Sequence, residues 1–225
     1  MNRKTLLVAA LLATASLAAI VASIATAEDP MDAKTAAPAG PAEMPLPPGW
    51  TKADMEACMM AATPGDQHKR LVAEAGVWQG KTTMWMVPGA EPMQSQCTST
   101  ITPIMDGRYT KCEMAGDMPG MGPYNGFGIY GFDNVSQKYV STWIDNHSTG
   151  IMTGMGEASA DGKTLTWKFT YNCPITKKPV VMREVETNTG PNTKTLEMFG
   201  PDPKTGKEFK MMRIELTKQS GGTGG

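Results

Sequence analysis

Hydrophobic and polar residues alternate with a period of two along most of the chain after residue 76, as expected for β-strands. In the clearest run, four large side chains share one face of a strand and the residues between them are polar: Leu165, Trp167, Phe169 and Tyr171. Turn signals, including the Asp-Gly pairs at 106–107 and 161–162, separate successive runs. The pattern predicts ten strands, at residues 77–87, 93–102, 108–115, 124–133, 137–144, 149–158, 164–171, 179–187, 193–199 and 207–217.

The short connections between these strands make neighbouring strands antiparallel, so the sequence predicts an all-β antiparallel meander. A closed barrel is favoured because closure leaves no exposed sheet edge, and a two-sheet sandwich is the alternative. In the last strand, Phe209 and Met211 lie in one phase, whereas Ile214 and Leu216 lie in the other. We therefore predict a β-bulge at Met211-Met212.

One or two short helices are predicted before the first strand. Residues 51–54 (Thr-Lys-Ala-Asp) form a weak capping box, and Met55, Cys58 and Met59 follow at helical spacing. The Pro-Gly pair at 64–65 ends this helix, and residues 67–75 form a second one.

The beginning of the chain has the pattern of a secretory signal peptide over residues 1–27. Arg3 and Lys4 precede an uncharged run from Thr5 to Ala27, which ends in the small-x-small motif Ala25-Thr26-Ala27. The alternative is an uncleaved membrane anchor, because the run is long enough to span a bilayer. We expect export to a bacterial periplasm or to the extracellular space, with no membrane attachment after cleavage.

Composition divides the remainder into three parts. Residues 28–50 are rich in Ala and Pro and are expected to form a flexible linker. Residues 51–218 are expected to form one β-barrel domain together with its N-terminal helices, and residues 219–225 a disordered Gly-rich tail.

The apolar residues are unusual, because residues 28–225 contain 18 Met and only 5 Leu. Methionine fills irregular space but specifies packing weakly, so a soft core is expected. The formal net charge of the chain is −1, which argues against nucleic acid as a partner and against a polybasic attachment to membranes.

Several motifs occur in a characteristic order after the helices: Gly76-Val77-Trp78, Asp106-Gly107-Arg108-Tyr109, the segment GFGIYGFD at 126–133, Lys138-Tyr139, Trp143-Ile144-Asp145 and Ser148-Thr149-Gly150. Their order resembles a bacterial domain-of-unknown-function family, number 1579, whose members are often exported and lie near the calycins. The Gly-x-Trp motif resembles the opening of lipocalin-like barrels. The resemblance covers roughly residues 65–217. It implies a lipocalin-like barrel with Trp78 at its closed end, and it implies no activity.

Four residues are candidates for contact with a small apolar or amphipathic ligand inside such a barrel. Trp78 and Trp143 would supply apolar contacts, while Arg108 and Asp145 near one mouth would orient a polar group. The alternative for Arg108 and Asp145 is a structural ion pair that fixes a turn.

Catalysis and cofactor binding have little support in the sequence. The two histidines, His68 and His147, are the available imidazole bases or haem ligands, and no Gly-x-Ser-x-Gly motif is present. We therefore expect a non-enzymatic protein without a cofactor.

Two Met-x-x-Met segments suggest a different function. Met118 with Met121, and Met152 with Met155, could bind Cu(I) if the four sulfurs converged. The alternative is that methionine replaces leucine throughout the core. A third hypothesis is a structural envelope module whose barrel is filled by side chains.

Export would permit disulfides among the four cysteines. Cys97 and Cys112 flank the predicted turn at equal distances from its centre, so we predict that they are opposed in a hairpin and bridged. Cys58 would then pair with Cys173 and attach the first helix to the barrel.

Overall fold

The computed structural model describes residues 46–220. The predicted signal peptide (1–27), the predicted linker as far as residue 45 and the last five residues of the predicted tail lie outside the described residues. Across the described part of the chain, no helix combines the length and the apolar character that a membrane crossing requires.

Two helices precede ten strands, in the order that the alternation pattern predicts. The helices are α1 (Lys52–Ala62) and α2 (Asp66–Ala73). The strands are β1 (Gly76–Met84), β2 (Met93–Ile104), β3 (Tyr109–Met118), β4 (Gly122–Asp133), β5 (Lys138–Asp145), β6 (Met152–Ala158), β7 (Thr164–Asn172), β8 (Pro179–Gly190), β9 (Thr193–Pro201) and β10 (Glu208–Lys218).

The ten strands form one closed antiparallel barrel in which each strand pairs with its neighbours in sequence. Strand β1 pairs with β2 on one side and with β10 on the other, which closes the barrel. The predicted barrel is thus confirmed and the alternative sandwich is excluded. The register shifts between Lys210 and Met212, which confirms the predicted bulge.

The two helices differ in how they are held. Thr51 and Asp54 form the predicted capping box of α1, with the Asp54 amide donating to Thr51 Oγ1 over 3.2 Å, but α1 buries no side chain. Helix α2 buries His68 and Leu71. His68 Nδ1 accepts a hydrogen bond from the Gly65 amide over 3.0 Å, so this histidine caps the helix.

Helix α2 covers one end of the barrel, which we call the closed end. Its Val72 side chain lies against the β2–β3 turn at Gly107, and Arg70 lies near Gly162 in the β6–β7 turn. The opposite end, called the open end, carries the β1–β2, β3–β4, β5–β6, β7–β8 and β9–β10 connections.

Glycines on the inward face of β6 make room for aromatic rings. A Cβ atom at Gly154 would lie 2.6 Å from the Phe169 ring, and one at Gly156 would lie 2.7 Å from the Trp167 ring. The two rings therefore pack directly over the β6 backbone, and both are almost fully buried.

The register of the β2–β3 hairpin shows that the predicted Cys97–Cys112 bridge is wrong. Cys97 lies opposite Gly116, and Cys112 lies opposite Ile101. Four residues along the ladder separate Cys112 from the position opposite Cys97, or about 13 Å, which no disulfide spans. The turn is centred between Asp106 and Gly107, two residues beyond the predicted centre.

All four cysteines are free thiols in the structure, so the predicted Cys58–Cys173 bridge is not formed either. Cys58 is exposed on α1, a helix that buries no side chain, whereas Cys173 is buried where the β7–β8 turn begins.

Candidate ligand-binding cavity

A cavity of about 1120 Å³ occupies the barrel interior. Small-molecule sites typically have about 300–1,000 Å³, so the barrel is not filled by its own side chains. Eight methionines line it: Met84, Met114, Met118, Met152, Met182, Met198, Met211 and Met212. Six aromatic residues also line it: Tyr124, Tyr130, Trp143, Trp167, Phe169 and Tyr171.

A buried lysine holds two carboxylates at the closed end of the cavity. Lys194 Nζ donates to Oε2 of Glu74, the residue that caps the C-terminus of α2, and to Glu186 Oε1 on β8, each over 3.0 Å. The same ammonium group lies 4.6 Å from the centre of the Trp78 ring. Burial opposes the charge of Lys194, but Glu186 and Glu74 outweigh burial and raise its pKa above the ordinary value.

Glu184 is the second buried acidic group of the lining, one layer nearer the open end. Its side chain is 4% exposed, and no hydrogen bond joins its carboxyl group to another residue within 46–220. Burial raises the pKa of Glu184 to about 8; the Glu186 carboxylate adds to this shift and Lys194 opposes it. Glu184 is therefore mostly a neutral carboxylic acid at pH 7.

Other polar groups occupy the same layer of the wall. Trp167 lies opposite Glu184 in the β7–β8 ladder, and its indole Nε1 is a buried donor with no partner in the described part of the chain. Cys112 Sγ lies 3.3 Å from Ser99 Oγ, and burial raises the pKa of the Cys112 thiol to about 11. This layer thus contains neutral hydrogen-bonding groups inside an otherwise apolar barrel.

The rim of the open end is fixed by the segment after β5. Trp143 Nε1 donates to the Tyr124 hydroxyl over 3.0 Å. The His147 ring stacks on the Tyr124 ring, with 5.7 Å between centres, and its amide donates to Asp145 Oδ1 over 2.9 Å. Asn146 Oδ1 accepts from the Asn125 amide over 2.8 Å. The rim beside β4 is thus polar and held at several points.

Residues 63–218 match the family described as "Protein of unknown function (DUF1579)". The chain belongs to this family. The match extends from the end of α1 to the last residue of β10, and so includes the whole barrel. A comparison with curated proteins found no match.

Two solved structures resemble the barrel. The crystal structure of Rv2717c from M. tuberculosis has a TM-score of 0.53 and 12% identity, covering 70% of this chain and 99% of that chain. The S-type phycobiliprotein lyase CPES from Guillardia theta has a TM-score of 0.48 and 9% identity, covering 68% of this chain and 92% of that chain. At such identities, the likeness to Rv2717c supports the fold alone.

The structure brings only two of the four predicted ligand residues to the cavity wall. Trp143 and Asp145 line the cavity near the open end. Trp78 is buried at the closed end, where its Nε1 donates to the Glu74 carbonyl over 3.0 Å, so it lies beneath the cavity lining. This is the position that the Gly-x-Trp resemblance implies.

Arg108 lies in the β2–β3 turn at the closed end, where its Nη1 is 3.6 Å from Asp106 Oδ2. Its neighbour Tyr109 is in register with Gly131 and Val140, five residues before Asp145 on β5. That separation is about 17 Å along the strand, so Arg108 and Asp145 do not orient one ligand group together.

The four methionines proposed for copper do not converge. Met152 and Met155 are three residues apart on β6 and therefore lie on opposite faces. Met152 lines the cavity, whereas Met155 is 55% exposed on the outside, and Met121 is exposed in the β3–β4 turn. A shared site for Met118, Met121, Met152 and Met155 is thus excluded.

Sequence reasoning missed Glu184, Glu186 and Lys194. Lys194 shares its phase along β9 with Leu196 and Met198, and this charged residue on an apolar face was the available signal. In β8, Val181 and Val185 suggest the opposite phase from Met182, which hid the inward glutamates.

Proposed function

We propose that this protein is an exported, non-catalytic binding protein that encloses a small apolar or amphipathic molecule in its barrel. The cavity of about 1120 Å³ is the observation that supports this function best. Its methionine and aromatic lining suits an apolar body, since thioethers adapt to irregular shapes and contact aromatic rings favourably.

Export is part of the proposal and rests on the signal-peptide pattern of residues 1–27. The intact mass of the protein recovered from the bacterial periplasm or medium tests it. Cleavage after Ala27 is the expected result, and retention of the full chain in the cytoplasm would contradict export.

Ligand binding is tested with N-phenyl-1-naphthylamine, an uncharged dye that fluoresces in apolar surroundings. We expect saturable binding with one dye per chain. Met152→Trp should weaken binding at least about fivefold, because the indole fills space inside the cavity. Met155→Trp is the matched control, since it places the same side chain on the outer face of the same strand.

Absence of saturable binding to the wild-type protein would contradict the proposed function. Equal effects of the two tryptophan substitutions would place the dye outside the barrel.

A further inference from the structure

The polar groups of the cavity indicate which ligand it accepts, an inference that rests on the binding function proposed above. Most of the lining is apolar, and the charged side chains deep in the barrel are few. Those that are already paired with another group of the protein are not free to bind a ligand, whereas those without a partner are.

The positive charge at the closed end is already satisfied. Lys194 Nζ contacts Glu74 and Glu186, and its remaining side faces the Trp78 ring. Arg70, the other cation of the lining, places its guanidinium 6.0 Å from the centre of the Tyr139 ring. An anionic ligand head would have to compete with two carboxylates for Lys194.

Acidic groups outnumber basic groups in the wall. Among the buried and half-buried lining residues, four are acidic and two are basic: Glu74, Asp145, Glu184 and Glu186 against Arg70 and Lys194. Because Glu184 is mostly neutral at pH 7, the charged groups are three carboxylates and two cations, and the excess of one negative charge disfavours a further anion in a low-dielectric interior. The cavity is therefore unsuited to fatty acids and other carboxylates.

Glu184 is an acidic group of the cavity lining that has no hydrogen-bond partner in the described part of the chain. Its side chain is more than nine-tenths buried, lines the cavity and makes no hydrogen bond to the rest of residues 46–220. A neutral carboxylic acid carries one O–H donor, and a buried donor without an acceptor is costly. The indole Nε1 of Trp167, opposite Glu184 in the ladder, is a fully buried donor without a partner among residues 46–220.

We propose that the cavity selects a neutral amphipathic molecule with a carbonyl group, such as a ketone, ester or amide, whose oxygen accepts a hydrogen bond from the Glu184 carboxyl group. The apolar part of this molecule contacts the methionines and aromatic rings on the side of the open end. Carboxylate ligands with the same apolar part are rejected.

The test compares two naphthalene dyes of nearly equal size and shape, the ketone 6-acetyl-2-dimethylaminonaphthalene and the carboxylate 6-dimethylamino-2-naphthoate. The wild-type protein at pH 7 should bind the ketone at least about tenfold more tightly than the carboxylate. Glu184→Met should weaken ketone binding about tenfold, the loss expected for one buried hydrogen bond, and shift the ketone emission to the blue. N-phenyl-1-naphthylamine has no carbonyl group to accept this hydrogen bond, so Glu184→Met should weaken ketone binding relative to the binding of this dye by the same variant.

Ketone binding should also weaken as pH rises through about 8, because the Glu184 donor then loses its proton. Glu184→Gln keeps a neutral donor and should remove this pH dependence. The titratable groups that interact with Glu184 are Glu186 on β8, Lys194 on β9, Cys112 on β3 and Tyr130 on β4, and the same cavity is lined by Arg70 on α2 and by Glu74 at the end of that helix. They are present in both proteins, so the comparison isolates residue 184.

The possible failures are distinct. If no dye binds to the wild-type protein, the proposed function itself is wrong. If N-phenyl-1-naphthylamine binds but the carboxylate binds as tightly as the ketone, the selectivity proposed here is wrong and the cavity function stands. Carboxylate binding that Arg70→Met abolishes would identify Arg70 as the polar contact instead of Glu184.

Discussion

Replacing Glu184 by glutamine should change how the stability of the protein depends on pH. Glutamine has nearly the shape of a protonated glutamic acid and does not titrate. The pKa of Glu184 is raised from 4.5 to about 8 in the folded protein, mainly by burial. Between these values the folded chain binds a proton that the unfolded chain lacks, so this contribution to stability is full below about pH 4.5 and is lost as pH rises through about 8.

The magnitude follows from the two pKa values. Between about pH 5 and about pH 9, titration of Glu184 should remove about 4 kcal/mol from the free energy of unfolding. The free energy of unfolding of Glu184→Gln should not fall in this way, because glutamine does not titrate. It should be nearly as stable as the wild-type protein at pH 5 and more stable by up to about 4 kcal/mol at pH 9.

Urea unfolding at a series of pH values, followed by tryptophan fluorescence, measures both curves. Glu91→Gln, at an exposed position in the β1–β2 connection, is the control and should run parallel to the wild-type protein. Parallel curves for Glu184→Gln and the wild-type protein would refute the reasoning, because they would mean that the Glu184 carboxyl group is solvated.

Three further predictions concern the buried lysine, the inward glycines of β6 and the cysteines. Lys194→Met should destabilise the fold by about 3–5 kcal/mol in urea unfolding, because Glu74 and Glu186 lose their buried partner. Adding Glu74→Gln and Glu186→Gln should restore most of the lost stability. Lys207→Met, at an exposed position, is the control and should have little effect. Gly156→Ala should cost about 1–3 kcal/mol by forcing the Trp167 ring from β6, whereas Gly150→Ala, which meets open space, should be neutral by the same measurement. Native iodoacetamide labelling should modify exposed Cys58 fastest, while Cys97 and Cys112 should react far more slowly until the protein unfolds, because burial raises the pKa of both thiols; a Cys97–Cys112 linked peptide in non-reducing mapping would contradict the β2–β3 register.

The strands could be predicted from the sequence because alternation and turn residues agree along most of the chain. Even the change of phase in β10 was readable, since Phe209 and Ile214 cannot share a face without an extra residue between them. Closure followed from short connections and from the cost of leaving two sheet edges open.

The β2–β3 register was predicted wrongly for a local reason. The alternation pattern placed the start of the third strand at Arg108. In the structure, Arg108 belongs to the turn, and Ile104 pairs with Tyr109. Met105 and Asp106 adopt positive φ values of 51° and 55°, which ordinary residues seldom do and which the sequence did not announce. Strand alternation alone cannot place a turn to within two residues.

The polar layer was hidden because it breaks the alternation rule. Two glutamates and a lysine face inward, and these residues are seldom buried unless paired. Lys194 on β9 hydrogen-bonds to Glu186 on β8 and to Glu74 at the end of α2. Only the folded barrel brings these three residues together. The volume left empty depends on how rings such as Trp167 lie over inward glycines, which no one-dimensional pattern records.

The most direct test of the central claim uses the methionines themselves. Methyl-labelled methionine allows NMR to follow each side chain while N-phenyl-1-naphthylamine is added. We expect the methyl signals of inward Met114, Met152, Met182 and Met198 to shift, and those of exposed Met60, Met105 and Met155 to stay unchanged. Shifts confined to the exposed methionines would contradict the account, because the dye would then bind outside the barrel.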